Sequence, residues 1–141
     1  MLDDCLDLLL SQDLLVLATA SQGVPHTSLM AYVAAPDGRE VLMATLPGTR
    51  KWANLAANPE VSLLVDDRRA AAGIQSLRAL TVAGTFVPAQ GDEERALLRR
   101  LAAARPQLEA IASAPQARAI RVRVRTFQLQ DGPLAGRVLR L

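Results

Sequence analysis

The feature that most restricts this chain is a succession of short apolar runs joined by turns too short to hold a helix. Leu14–Ala20 gives way through Ser21-Gln22-Gly23 to a run opened by Pro25 and continuing as His26–Ala35, and Pro36-Asp37-Gly38 then leads into Glu40–Thr45. Glycine and Asp-Gly at such junctions suit tight reversals, so the joined strands run antiparallel. Leu14–Ala20 is almost continuously apolar, the pattern of a strand buried on both faces. Val61–Val65 and Leu77–Val87 add two more strands, the second with Gly84 where a bulge is least costly. Ile120, Val122 and Val124 alternate with Arg121, Arg123 and Arg125, whereas Phe127 and Leu129 continue on the opposite parity. That slip predicts a bulge near Arg125-Thr126, because one extra residue restores the inward face. After Asp131-Gly132 a last strand runs over Gly136–Leu141. A mainly β chain of six or seven antiparallel strands avoids exposed edges by closing into a small barrel.

Helices are few. Leu2–Leu10 is amphipathic, and Asp92–Arg105 sets Leu97, Leu98, Leu101 and Ala102 on one face before Pro106 interrupts it ahead of a turn near Leu108–Ala112. These read as covers packed on the barrel. Asp66–Gly73 is a charged, alanine-rich connector without periodicity. With no internal repeat and no linker composition, residues 1–141 read as one domain.

Composition narrows the partners. Aromatic residues make up only 3% of the chain and the formal charge is +2, which leaves little for stacking or neutralising nucleic acid. No apolar run approaches the ~18 residues that a membrane helix needs. Asp3, Asp4 and Asp7 stand where a basic leader would be, so the expectation is a soluble cytoplasmic protein. The single cysteine, Cys5, falls in a leucine-rich helix and reads as a small buried hydrophobe.

One segment breaks the rule that the other helices obey. Thr49 is a natural N-cap, Trp52, Leu55 and Ala56 recur at helical spacing, and Asn58-Pro59 stops the helix. Arg50 and the only lysine, Lys51, then occupy the first turn, where the helix dipole is positive and each cation costs roughly 0.3–1 kcal/mol. The helix at Asp92-Glu93-Glu94 has its charges the favourable way round. An anion that takes the free N–H groups and both side chains resolves the exception; two side chains splayed into water are the other reading.

The run GVPHTSLMAYVAAPDGREVLMATLPGTRKWANLAANPEVSLLVDD, followed by LRALTVAGTFV, resembles the FMN-binding split β-barrel of the pyridoxamine 5'-phosphate oxidase-like superfamily. The series Thr45, Arg50, Lys51, Asn54, Leu55, Asn58, Pro59 and Val61 carries most of the likeness. The resemblance implies that Arg50 and Lys51 hold the flavin phosphate, that Thr45 touches the phosphate and ribityl chain, and that Ser28, Leu29 and Met30 run beneath the isoalloxazine ring. Gln75 falls near a further flavin contact. It also implies a homodimer with flavin at the subunit interface. The chain departs from true pyridoxamine phosphate oxidases: Ser28 and Ala34 stand near the positions of their arginine and lysine, and the C-terminal Trp and Arg-x-His signature are missing. The resemblance thus implies a flavin site without the vitamin B6 substrate site.

The function expected on this basis is FMN-dependent oxidation or reduction of a small molecule, with the cofactor doing the chemistry. The deazaflavin F420 is the alternative cofactor, and a non-catalytic flavin carrier is a third reading. His26, the only histidine, is the residue a haem would need, although a lone histidine at a strand start is more often solvent-facing or hydrogen-bonded. No side chain stands out as an acid or base, and no spacing of ligands suggests a metal.

Overall fold

A computed structural model describes all 141 residues. Helix α1 (Leu2–Ser11) lays Cys5, Leu8 and Leu9 into the core. Strand β1 (Leu14–Ser21) turns into β2 (Val24–Ala31) through Gln22 and Gly23, both at positive φ, as a two-residue hairpin turn of the right twist requires. A two-residue strand, β3 (Val33–Ala34), continues from β2 and pairs with β4 (Glu40–Thr45). Then come α2 (Arg50–Ala57), β5 (Glu60–Asp66), β6 (Arg78–Phe86), α3 (Gly91–Ala104), a 3-10 turn at Pro106–Leu108, α4 (Glu109–Ala112), β7 (Arg118–Asp131) and β8 (Ala135–Arg140).

The strands form one antiparallel sheet in the order β2-β1-β5-β6-β7-β4-β3, with β8 added on β7. Its two ends, β2 and β3, are neighbouring parts of a single chain segment, so the sheet curls back on itself into a split barrel. The interior is Leu, Val and Met from alternating strand positions, together with Phe127. β1 departs from the expectation of two buried faces: Leu15, Leu17 and Thr19 are buried, while Val16, Ala18 and Ala20 lie on a half-open outer face. The reversal of parity in β7 is accommodated as its sequence demands. Ala83 pairs with Thr126 and Gly84 with Val124, leaving Arg125 as the extra residue.

The break between β2 and β3 falls at Tyr32, where the sequence reads as uninterrupted strand. A buried backbone that leaves its ladder must find other partners. The Tyr32 amide donates to Asp13 O at 3.3 Å, and its carbonyl accepts from the Arg105 guanidinium at 3.1 Å. The fully buried phenol donates to Leu9 O, one of the last four carbonyls of α1, which have no partner within the helix. Burial raises the Tyr32 pKa, outweighing the opposing pull of Arg105. Tyr32→Phe strands the Leu9 carbonyl and is expected to cost about 1–3 kcal/mol in urea unfolding. Because the folded state holds this proton above the ordinary tyrosine pKa, the protein loses stability as pH rises beyond about 10. In Tyr32→Phe that alkaline slope should flatten; an unchanged slope would remove Tyr32 as its source.

Helix α3 covers a second, smaller core on the outside of β4 and β7, where Leu97, Leu98 and Leu101 meet Leu42, Ala44 and Ala119. Glu94 fastens it: its carboxylate accepts from the Ala119 amide and from Arg118 Nε, each at 2.9 Å.

Candidate functional site

Between β4 and β5 the chain must cross the end of the barrel, and α2 makes that crossing. Leu55 is buried beneath it, and Asn54, also buried, donates from Nδ2 to Thr19 Oγ1 of β1 at 3.0 Å. The helix is therefore tied by a buried hydrogen bond as well as by its apolar face. At its start the Thr49 hydroxyl accepts from the Trp52 amide at 3.4 Å and donates to Leu46 O at 3.0 Å. With that proton used, the buried Thr45 hydroxyl donates to Thr49 Oγ1 at 3.2 Å. Two threonine hydroxyls and the first-turn amides thus gather at one point.

Arg50 is exposed and Lys51 half-buried, and neither forms an ion pair or hydrogen bond from its side chain to the rest of the protein. The first turn of α2 holds no acidic residue. The local field is positive from the dipole and two cations together, an arrangement that suits an anion such as a phosphate.

Arg118 is a neighbour that sequence reasoning did not single out. It is the cross-strand partner of Thr45, its guanidinium lies 4.6 Å above the Trp52 ring, and it pairs with Glu94. Trp52 in turn meets Phe86 edge-on at 5.6 Å. Arg118 is followed by an alternating strand in the sequence, but only the register of β7 against β4 places it beside α2.

Ser28, Leu29 and Met30 lie on β2 opposite Leu17, Val16 and Leu15. Met30 turns into the core and Ser28 shares its face, two residues beyond His26, the partner of Thr19. Leu29 faces outward, 70% exposed, and with Leu14, Val16 and Leu64 lines a cleft of about 250 Å³. The Asp66–Arg68 ion pair, 2.6 Å across, borders that cleft. Hydrogen bonds from Arg68 hold the Asp66 carboxyl below its ordinary pKa.

Gln75 does not join the other residues within one chain. It is exposed in the connector between β5 and β6, where its carbonyl packs close to Gly132 in the turn between β7 and β8. β5 starts beside α2 and ends at this connector, and its seven residues separate the two places by about 20 Å. Thr45, Arg50 and Lys51 are assembled at one end of the barrel, and the Ser28–Met30 segment runs from that end toward the other.

Comparison with known proteins agrees with this architecture. A heme-binding protein from Mycobacterium smegmatis superposes with a TM-score of 0.84 at 18% identity; the match takes in 97% of this chain but only 56% of that longer one. General Stress Protein 26 from Bacillus anthracis superposes at 0.75 with 18% identity, over 99% of this chain and 98% of its own. A FAD-binding protein from Mesorhizobium loti gives 0.75 at 19% identity, over 99% and 95%. At such identities these likenesses establish the fold. No curated protein matches the sequence. The family model for pyridoxamine 5'-phosphate oxidase matches residues 1–131, which includes both barrel ends, α2 and all of β7. By fold and by sequence, therefore, the chain belongs to the pyridoxamine 5'-phosphate oxidase family.

Proposed function

We propose that the chain binds FMN and serves as an FMN-dependent oxidoreductase for a small molecule. The observation that carries this reading is the start of α2, where two cations without a counter-charge, two hydroxyls and free amides converge. Those groups fit a terminal phosphate. Arg50 and Lys51 would neutralise it, the free first-turn amides would donate to it, the Thr45 hydroxyl would turn from Thr49 Oγ1 to donate to it, and Asn54 and Arg118 would keep the helix and Trp52 in position. Ser28–Met30 would present backbone and a half-open strand face to the ring. A bound flavin supplies reversible hydride and electron transfer, which no side chain of this protein can supply itself.

A homodimer is part of the proposal. The outer face around β1 carries Val16, Ala18, Thr27, Leu29, Ser62 and Leu64, uncharged and partly apolar, and a second barrel would cover it. Leu29→Arg is expected to shift the mass measured by light scattering from dimer to monomer. A native protein that is already monomeric at micromolar concentration would refute this part.

Two other occupants of the same fold are distinguishable. The deazaflavin F420 also offers a phosphate to Arg50 and Lys51. Haem is favoured by one observation, the half-buried His26 on β2, whose ring has no hydrogen-bond partner in the chain, and by the heme-binding relative. Absorption spectra of the purified protein with each cofactor added separate the three. A bound two-banded flavin spectrum supports FMN, a single deazaflavin band supports F420, and a Soret band that is lost in His26→Ala supports haem. Failure of every cofactor to bind would return Arg50 and Lys51 to a solvated helix end.

A further inference from the structure

Three arginines of β7, Arg121, Arg123 and Arg125, serve no purpose in the flavin reading, and their placement is unusual. Under α3 the chain is small, with Ala117 just before β7 and Ala119 on its outer face, and beyond the edge of the helix that face carries Arg121, Arg123 and Arg125. With Arg39 and Arg100 these line a groove of about 740 Å³, whose apolar wall includes Val87 and Leu141. Three of the five guanidiniums are held from the rim. Arg121 pairs with Glu93 at 2.6 Å and donates to Pro88 O at 3.1 Å, Arg125 pairs with Glu60 at 2.7 Å, and Arg100 pairs with Glu40 at 2.5 Å.

The other two are left over. Glu40 is the cross-strand partner of Arg123, yet its carboxylate is taken by Arg100. Asp37 accepts from the backbone amide of Arg39, leaving that guanidinium free as well. Arg39 and Arg123 are both exposed and stand at adjoining positions, since the Val124 amide donates to Arg39 O at 2.9 Å. The result is a frame of fixed arginines around two unpartnered forks, in a groove whose size lies within the roughly 300–1,000 Å³ of small-molecule sites. Arginine forks match phosphate oxygens two at a time, and holding Arg39 and Arg123 side by side without a carboxylate is unfavourable unless an anion joins them.

We propose that this groove is a second anion site, which binds a small molecule carrying two or more phosphate groups. It is separate from the start of α2. Glu40 with Arg123 marks one end of the β4–β7 ladder and Thr45 with Arg118 the other, five residues or about 17 Å apart. One ligand phosphate would meet Arg39 and Arg123, a second would meet the held arginines, and an apolar moiety would lie against Val87 and Leu141.

Calorimetric titration of the full chain with ADP and with inorganic pyrophosphate tests this, FMN being titrated in parallel. Both probes should bind saturably, more weakly as salt rises. Arg39→Gln with Arg123→Gln, two exposed positions that leave the fold intact, should weaken ADP by about tenfold or more while FMN affinity is unchanged. Arg50→Ala with Lys51→Ala should do the reverse. Pyrophosphate binding as tight as ADP would keep the anion site and remove the apolar contact from the proposal. Absence of saturable binding, or loss of ADP binding that follows Arg50 and Lys51, would overturn it. So would a single-stranded oligonucleotide that binds far more tightly than ADP, since the groove would then follow a nucleic-acid backbone.

Discussion

Replacing both Arg50 and Lys51 with alanine is expected to move two properties of the protein in opposite directions. Without ligand the variant should be slightly more stable. Two cations leave the positive end of a helix that holds no compensating acid, and each relieves about 0.3–1 kcal/mol. FMN affinity should fall by roughly a hundredfold or more, because each lost charge-assisted hydrogen bond to the phosphate removes about 1.5–3 kcal/mol. Thermal shifts show both effects together: the melting temperature of the apo variant rises a little, and the further rise on adding FMN disappears. Riboflavin, which has the ring but no phosphate, supplies the control. Its weaker binding should be the same in the native protein and the variant. If riboflavin binding falls as far as FMN binding, the two residues act on the ring or on the helix, and the phosphate assignment is wrong. Salt offers a further check, since screening should erode FMN affinity in the native protein far more than in the variant.

The parts of this fold that could be read from the chain are those in which local chemistry decides. Gln22-Gly23 closes a hairpin because both positions are at positive φ, and the parity slip between Val124 and Phe127 forces a bulge wherever both residues must face inward. The start of α2 was legible for the same reason. A threonine cap and a pair of misplaced cations are visible within a few residues of one another, and the structure leaves both cations unpaired. What could not be read depends on contacts between distant segments. Nothing in Met30-Ala31-Tyr32-Val33-Ala34 marks a break, because the groups that stabilise it come from Leu9, Asp13 and Arg105. The outer face of β1, with Val16 and Ala18, has the composition of a buried surface although this chain alone does not bury it. Arg118 reaches α2 only through the β4–β7 register, and Gln75 is carried to the far end of the barrel by the length of β5. The proposed flavin cradle is therefore half local and half topological, and the topological half is the one that sequence reasoning left incomplete.

The second large effect concerns that register. Gly84→Ala is expected to destabilise the protein by about 3 kcal/mol, the upper range for overpacking, with a drop of roughly 10 °C in melting temperature. A methyl group built at Gly84 lies 2.6 Å from the carbonyl oxygen of Arg123 and 2.6 Å from a Val122 methyl. The first of these is backbone in the adjoining strand, so no side-chain rotation can relieve it. β7 would have to move away at the point where the Ala83/Gly84 register shift already interrupts the ladder. Gly73→Ala is the matched control, since nothing lies within 4 Å of a methyl group there and its φ is not in the left-handed region. That substitution should change the melting temperature by little, or raise it slightly by restricting the unfolded chain. The consequence of Gly84→Ala should also reach beyond stability. β7 carries Arg118 at one end and the arginine groove near its middle, so a displaced strand should weaken FMN and ADP binding together, whereas the paired arginine substitutions weaken one or the other. A Gly84→Ala protein with native melting temperature would mean that β7 can shift without cost, and the bulge would then be a tolerated irregularity of the barrel with no part in setting its register.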